Sequence, residues 1–309
     1  MKIGTRGSAL ALWQARTVAR LIEESDGPGG EIVVIRTSGD EGATPPDPPQ
    51  GRENIKRTFV KEIEEALLDG RVDLAVHSAK DLPGQLPERL FIAAVLARED
   101  PRDALLLPAH ATARGFEAVT AALGRGPRVG TSSVRRAAEL RRVFPHASFV
   151  PIRGNVDTRL RKLDAGDCDV LVLAVAGVKR LGLEHRLSAL LPVDVCLPAP
   201  GQGIVAIEIA ASCPADVRTA LKRISDVDAE AALLAERAVV QALGGGCQMP
   251  LGALARLDEQ ELTIEGVVAS LDGRTVIRAR ATGHRGGAAA VGEKLATQLL
   301  AKGAAEFLK

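Results

Sequence analysis

Two spacings of apolar residues alternate along the first two thirds of the chain. Residues 9–24 carry apolar side chains at intervals of three and four, beginning with Leu10 and Trp13, which predicts an amphipathic helix. A run of β-branched residues at 31–36 predicts a short strand, and the aliphatic runs at 72–76 and 170–175 predict buried strands. Because strands alternate with helices, the pattern predicts an α/β fold with parallel sheets, in two sections that divide near residue 100.

The last third of the chain has a different pattern. No glycine or proline occurs between residues 215 and 243, which predicts one long helix with a face formed by Val227, Ala231, Leu234, Ala238 and Ala242. This helix should end at the three glycines 244–246, because glycine readily adopts the left-handed conformation that terminates helices. Strands near 261–270 and 274–281, followed by a helix from about residue 288, predict a small α+β domain.

Positive charge is concentrated in residues 125–162, although the formal charge of the whole chain is only +1. This stretch holds nine arginines and Lys162 against Glu139 and Asp157, so it should face an anion. Within it, residues 131–133 and 153–155 each join a predicted strand to a predicted helix. The first N–H groups of a helix lack intrahelical partners and the dipole is positive there. The two junctions therefore predict one carboxylate or phosphate site with two similar halves.

Three further positions combine a reactive or charged side chain with a favourable place in the predicted fold, and each has a plainer interpretation. Arg6 and Ser8 precede the first helix, either as an anion site or as a surface arginine and a helix cap. Lys80 and Asp81 follow a buried strand, where open α/β sheets place their chemistry, although an aspartate there can also cap a turn. Cys247 follows the three glycines and is either accessible to a bulky group or a small hydrophobe.

Composition argues against several classes of protein. Six phenylalanines, one tryptophan and no tyrosine are too few aromatic residues for a surface that stacks single-stranded nucleic acid. No apolar run approaches the roughly 20 residues that cross a bilayer, and the N-terminus does not resemble a signal peptide. The four cysteines form no Cys-x-x-Cys pair and the five histidines lack ligand spacing, which favours reduced thiols in a cytosolic protein without a metal site. Residues 37–54, rich in proline, glycine and acid, predict either a lid or a tolerated insertion.

Six segments, in order along the chain, resemble the porphobilinogen deaminase (hydroxymethylbilane synthase) family of tetrapyrrole biosynthesis. They are residues 5–8 with 12–14, 77–83, 130–136, 153–160, 197–203 and 243–250. The resemblance implies two α/β domains like those of type II periplasmic binding proteins, joined by a hinge, and a small C-terminal α+β domain. The implied domain bounds are 1–98 with 202–218, then 99–201, then 219–309. A cytoplasmic monomer is also implied.

The resemblance further implies roles for individual residues. Cys247 is implied to carry a covalent dipyrromethane cofactor through a thioether, and Asp81 to be the catalytic carboxylate that faces the pyrrole N–H groups and supports loss of ammonia. Contacts to the cofactor are implied for Lys80, Asp81, Ser132, Arg135, Arg136 and Arg159. Contacts to the substrate porphobilinogen are implied for Arg6, Ser8, Gln14, Arg153, Arg159 and Arg180. A lid over residues 43–58 is implied to include Lys56 and Phe59.

The implied reaction joins four porphobilinogens head to tail on the dipyrromethane, releases ammonia at each step, and then hydrolyses the product to 1-hydroxymethylbilane. Each porphobilinogen brings an acetate and a propionate, which arginines bind well through charge-assisted hydrogen bonds. The proline-rich residues 44–50 depart from the family pattern and leave the conformation of the lid open. Two alternatives are a non-catalytic small-anion binding or sensor protein on the same scaffold and, on the arginine-rich stretch alone, a nucleic-acid binder.

Overall fold

The computed structural model describes residues 1–37, 54–244 and 249–308, and in the helix that begins at Asn54 it describes side chains from Val60 onward. Contacts within the chain define two compact units, Met1–Arg98 with Ile204–Leu233 and Glu99–Gly203 with Leu234–Lys309. The three-domain division expected from the sequence stays a prediction.

Strands and helices alternate through most of the described chain. The strands are β1 (Lys2–Thr5), β2 (Glu31–Val34), β3 (Leu74–Ser78), β4 (Leu90–Val95), β5 (Asp103–Leu106), β6 (Arg128–Gly130), β7 (Ser148–Val150), β8 (Val170–Ala174), β9 (Ala189–Leu190), β10 (Val205–Ala210), β11 (Leu251–Asp258), β12 (Glu261–Ala269) and β13 (Val276–His284). The helices are α1 (Ala9–Glu24), α2 (Asn54–Leu68), α3 (Phe116–Leu123), α4 (Val134–Leu140), α5 (Val156–Asp164), α6 (Val175–Arg180), α7 (Ala215–Ile224), α8 (Val227–Ala242) and α9 (Ala288–Ala301). The helix predicted over residues 9–24 is confirmed as α1.

The sheet of the first unit has the strand order β2-β1-β3-β10-β4. Strands β1, β2 and β3 are parallel, but β10 runs antiparallel to both of its neighbours. The predicted parallel sheet is therefore wrong in part, and the connection explains why. The backbone N–H of Ala79, just after β3, donates to the carbonyl of Ile204, just before β10, over 3.0 Å. The chain thus enters β10 at the edge where β3 ends and must run back along it.

The sheet of the second unit has the order β7-β6-β8-β5-β9. Strand β6 is parallel to β7 and β8, whereas β5 is antiparallel to β8 and β9. In the register of β5 and β8, Asp103 pairs with Ala174. Because the two strands run in opposite directions, the first residue of β5 lies at the edge where the parallel strands end. That edge is where open α/β sheets place binding groups.

The third sheet is formed by β11, β12 and β13, which are antiparallel throughout, and α9 packs on β12 and β13. The sequence prediction missed β11, whose small residues Gly252, Ala253 and Ala255 give a weak strand signal. Two α/β sheets and a small C-terminal α+β part confirm the predicted fold class.

The long helix predicted between residues 215 and 243 is wrong, because the chain breaks between α7 and α8. At the break the Ser225 hydroxyl accepts the N–H of Val95 over 3.1 Å, and the N–H of Asp226 donates to the Val95 carbonyl over 2.9 Å. The Asp226 carboxylate then accepts the N–H of Ala229 over 2.8 Å and caps α8. The end of β4 therefore interrupts a sequence that has no helix breaker of its own.

The buried face of α8 also differs from the predicted face. Val227 and Leu234 are 61% and 51% exposed, whereas Leu233, Ala235 and Glu236 are almost fully buried. The rotation has a physical cause, because α8 presents its small residues to α9. A Cβ added to Gly292 would meet the backbone carbonyl of Ala235 and would lie 2.9 Å from the Cβ of Ala238.

A Gly292→Ala substitution is expected to destabilise the protein by about 1–3 kcal/mol despite the higher helix propensity of alanine. The added methyl group meets backbone, which cannot move aside as a flexible side chain could. Urea denaturation measures the effect. Gly29→Ala is the control, because a Cβ at Gly29 has only ordinary contact, 3.8 Å from a Glu23 carboxylate oxygen. Equal stability of the two variants would show that the helices separate at little cost.

Candidate functional site

The carboxyl edge of the first sheet presents Lys80 and Asp81. Strand β3 ends at Ser78, and a 3-10 turn at Ala79–Asp81 follows directly. The turn closes through the N–H of Leu82, which donates to the Ala79 carbonyl over 3.2 Å. Both side chains are partly exposed. In the described part of the chain, no hydrogen bond or ion pair engages the Asp81 carboxylate, so it is available to an incoming group.

The start of α1 lies beside the same strand. The Ser8 hydroxyl accepts the N–H of Ala11 over 3.2 Å, which confirms the helix-cap interpretation of Ser8. Gln14 is only 2% exposed and donates its amide N–H to the Ser78 hydroxyl over 2.8 Å. Arg6 lies partly exposed between β1 and α1. Gln14 thus couples α1 to the end of β3, and contacts of Arg6, Ser8 and Gln14 with substrate stay predictions.

In the second unit, Arg135 and Arg136 share one carboxylate. The Nη2 of Arg135 lies 2.7 Å from Oδ2 of Asp103, and the Nη2 of Arg136 lies 2.7 Å from Oδ1 of Asp103. The side chains of Arg135 and Arg136 are 4% and 8% exposed and that of Asp103 is fully buried. Burial alone would raise the pKa of Asp103, but the two arginines outweigh it and hold the pKa well below its ordinary value of 3.8. Asp103 therefore stays ionised.

Backbone carbonyls complete the environment of the two arginines. Arg135 donates from Nη1 to the carbonyl of Leu197, and Arg136 donates from Nη1 to the carbonyl of Val172 over 3.0 Å. The Nε of Arg136 is buried and has no hydrogen-bond partner among the described residues. The arginine-rich stretch 125–162 was predicted to face an anion, and two of its arginines face the carboxylate of Asp103, a residue of the protein itself. The sequence analysis placed only the division between the two sections near residue 100 and missed Asp103, although a charged residue that opens an apolar strand was a usable signal.

Glu139 extends this cluster toward the third sheet. Its Oε2 accepts the N–H of Leu197 over 3.1 Å and an Nη2–H of Arg278 over 2.9 Å. Burial raises the pKa of Glu139 to about 6, although Arg135 and Arg278 both favour its ionised form. Glu139 therefore ties α4 to β13 and to the segment that leads back to the first unit.

Stability at low pH is expected to depend on Asp103. The lowered pKa means that Asp103 contributes stability above its unfolded pKa, near 3.8, and loses it as the pH falls through the folded pKa. Asp103→Asn is expected to cost about 3–5 kcal/mol at pH 7, because it removes the anion of a buried pair. In urea denaturation, the difference from the unsubstituted protein should be constant above about pH 5 and should shrink below pH 4. A difference that is unchanged at pH 3 would contradict the assignment.

The second strand-to-helix junction of this sheet lies at residues 153–155. The Ser132 hydroxyl donates to the carbonyl of Ile152 over 3.0 Å, which joins the first junction to the second. Arg159 on α5 donates from Nε to the Gly154 carbonyl over 2.7 Å, whereas Arg153 is exposed. The two junctions are therefore neighbours at the ends of the parallel strands β6 and β7. The single anion site that the sequence predicted for them stays a prediction.

Arg180 ends α6 and reaches the segment that precedes β10. Its Nη2 donates to the carbonyl of Gly203 over 2.6 Å. Burial lowers the pKa of Arg180 to about 10, while Glu99 opposes that shift. Glu99 in turn pairs with Lys179 over 2.7 Å. Arg180 thus has a largely desolvated guanidinium next to the segment that precedes β10.

Several predicted site residues lie outside the described residues. These are Cys247, residues 43–53 of the lid predicted over 43–58, and the side chains of Lys56 and Phe59. Residues 54–58 of the predicted lid begin α2. The other three cysteines are buried free thiols, and burial raises the pKa of each. In residues 1–37, 54–244 and 249–308, no three His, Cys, Asp or Glu side chains are grouped to hold a metal ion. The helices described here include none that is long and apolar enough to cross a membrane.

Comparison with solved structures finds similar domains of low sequence identity. The second substrate binding domain of a putative amino acid ABC transporter from Streptococcus pneumoniae is 11% identical, with a TM-score of 0.43 over 79% of this chain and 94% of that domain. The periplasmic VFT2 domain of Bordetella pertussis BvgS is 14% identical, with a TM-score of 0.42 over 72% of this chain and 86% of that domain.

Comparison of sequences is more specific. The model "Porphobilinogen deaminase, dipyromethane cofactor binding domain" matches residues 1–218, and "Porphobilinogen deaminase, C-terminal domain" matches residues 231–301. Proteins named porphobilinogen deaminase from Syntrophomonas wolfei and Syntrophotalea carbinolica are 47% and 46% identical to this chain. Both alignments cover 100% of this chain, and 97% and 95% of the respective relatives. The chain belongs to the porphobilinogen deaminase family.

Proposed function

We propose that the protein is a porphobilinogen deaminase, a transferase that condenses four porphobilinogens head to tail and releases 1-hydroxymethylbilane. The observation that carries the proposal is the Asp81 carboxylate, partly exposed at the carboxyl edge of a sheet and without a partner in the described chain. In a chain matched from end to end by this family, that carboxylate is the group expected to act on the substrate.

The chemistry of the second unit fits a dipyrromethane cofactor. Such a group carries several carboxylates, which guanidinium groups bind through charge-assisted hydrogen bonds. Arg136 supplies a buried Nε that has no acceptor in the described chain. Ser132 follows β6, and Arg159 on α5 reaches the Gly154 carbonyl at the second junction. We assign the cofactor carboxylates to Lys80, Ser132, Arg135, Arg136 and Arg159, and its thioether to Cys247. When bound, the dipyrromethane supplies the terminal ring to which the first substrate is joined.

Asp81 acts on the substrate ring. Loss of ammonia from porphobilinogen leaves a positive charge that spreads over the ring and its N–H, and a fixed carboxylate stabilises that charge. The 3-10 turn holds Asp81, and the hydrogen bond between Ala79 and Ile204 anchors that turn to β10. Lys80 beside it offers an ammonium to a carboxylate.

Arginines and polar groups around these edges position the incoming substrate. We assign its acetate and propionate to Arg6, Ser8, Gln14, Arg153, Arg159 and Arg180, and a covering role to Lys56 and Phe59. Partly desolvated cations bind carboxylates more strongly than fully hydrated ones, which suits Arg180. We also propose that the protein works as a cytoplasmic monomer.

The test is to incubate the purified protein with porphobilinogen and to measure ammonia and linear tetrapyrrole together. Four ammonia molecules should appear for each tetrapyrrole, as the condensation requires. A small-anion binding or sensor protein, the alternative function, would bind porphobilinogen without releasing ammonia. Saturable binding with no ammonia would therefore reject the proposed function.

A further inference from the structure

Asp103 is the group that makes two neighbouring arginines converge. Consecutive residues on a helix point in directions about 100° apart, so the side chains of Arg135 and Arg136 do not face each other by helix geometry alone. Both guanidiniums nevertheless meet Asp103, each at its own oxygen and each over 2.7 Å. Gln202 adds a third donor, 2.8 Å from Oδ1, and also donates to the Pro101 carbonyl over 2.7 Å. The carboxylate is thus fixed from three directions.

The buried cluster around Asp103 holds two cations, Arg135 and Arg136, and two anions, Asp103 and Glu139. Arg278 also pairs with Glu139, but its side chain is 30% exposed, so its charge is partly solvated. Among residues 1–37, 54–244 and 249–308, the buried Nε of Arg136 has no acceptor. A buried donor without an acceptor is costly, so this N–H favours the binding of a ligand oxygen.

The position of Asp103 matches that requirement. As the first residue of the antiparallel strand β5, it lies at the edge where β6 and β8 end. It can hold the arginines at this edge while the Nε of Arg136 stays without an acceptor in the described chain. A shift of about 1 Å in such a group is enough to cost ~100-fold in a reaction that depends on alignment.

We propose that Asp103 is a positioning residue that sets Arg135 and Arg136 for the carboxylates of the dipyrromethane cofactor, an inference that rests on the proposed function. Asp103 itself does not touch the cofactor. It aligns the two guanidiniums before the cofactor is present, so that assembly of the cofactor does not have to reorganise buried charges.

The chain offers a matched control at the opposite edge of the same strands. Arg128 opens β6 and pairs with Asp169, just before β8, over 2.6 Å. This pair is also an arginine–aspartate pair between neighbouring chain segments of one sheet, but its side chains are 47% and 41% exposed. Asp169→Asn therefore removes a comparable ion pair without touching the buried cluster.

The experiment compares Asp103→Asn, Asp103→Glu and Asp169→Asn with the unsubstituted chain, all produced in a host that cannot make porphobilinogen. Each full-length protein is then given porphobilinogen, and intact mass follows the covalent adduct with time, while thermal melting gives the folded fraction. For folded Asp103→Asn, the porphobilinogen concentration for half-maximal adduct formation should rise about 10-fold or more. Asp169→Asn should stay within about twofold of the unsubstituted chain.

The Glu variant separates positioning from charge balance. Asp103→Glu keeps the carboxylate and so keeps the protein folded, but its extra methylene displaces the guanidiniums, and half-maximal adduct formation should again shift. If the Glu variant assembles the adduct as the unsubstituted chain does, Asp103 only balances charge and the proposal fails. The proposal also fails if folded Asp103→Asn matches Asp169→Asn. If the unsubstituted chain forms no adduct, the proposed function fails instead.

Discussion

An Asp81→Ala variant is expected to lose turnover by about three orders of magnitude while keeping its fold and its covalent cofactor. The loss follows because the carboxylate is the only group proposed to stabilise the positive charge that develops on the substrate as ammonia leaves. The fold should persist because no described residue depends on that carboxylate for a hydrogen bond or ion pair. Ammonia release, thermal melting and intact mass measure the three quantities on one preparation.

An Asp69→Ala variant serves as the control for Asp81. Asp69 is another exposed carboxylate of the first unit, and its partner Arg71 lies 3.5 Å away on the surface. Exposed pairs of this kind contribute little to stability, so turnover and melting should both be preserved. Asp81→Asn, which keeps the shape but not the charge, should behave like Asp81→Ala. Turnover above a tenth of the original in either Asp81 variant would remove Asp81 from the catalytic role.

Local signals explain what the sequence predicted correctly about the fold. The Ser8 cap of α1 is local in sequence, so the start of this helix follows from nearby residues. Its buried face was not predicted, because Trp13 of the predicted stripe is 38% exposed whereas Ala15, Val18 and Ile22 are buried. The direction of β10 cannot be predicted from nearby residues, because the residue pattern of a strand is the same in either direction. Its antiparallel pairing is determined by where the return connection enters the sheet. The break between α7 and α8 likewise depends on Val95, which is 130 residues away from Ser225 in the chain.

The candidate site shows the same division between local and distant causes. The turn that presents Lys80 and Asp81 follows directly from a buried strand, so their place at the sheet edge was predictable. The arginines of α4 were counted correctly as excess charge, but their partner could not be found from spacing. Asp103 lies more than 30 residues earlier and meets them only because β5 is antiparallel to β8. An arginine-rich stretch therefore predicts that anions lie nearby. It does not show whether those anions are carboxylates of the protein or belong to a ligand.

A Cys247→Ala variant is expected to carry no cofactor and to show no turnover, because the growing chain would have no covalent starting point. The sequence places Cys247 after three glycines, whose lack of side chains leaves room for a bulky adduct. Intact mass under reducing conditions should show the dipyrromethane adduct on the unsubstituted chain and its complete absence from the variant. Peptide mapping should locate the adduct on the peptide that contains Cys247.

Cys213→Ala is the matched control for that experiment. Cys213 is 8% exposed and is the least buried of the three thiols in the described chain, and burial raises its pKa, which disfavours the nucleophilic thiolate. Its alanine variant should keep both the adduct and turnover. An adduct that persists in Cys247→Ala but disappears in Cys213→Ala would show that the cofactor is attached to Cys213 and not to Cys247. An unmodified chain that also fails to gain mass with porphobilinogen would instead favour an anion-binding protein, since attachment and catalysis would then be lost together.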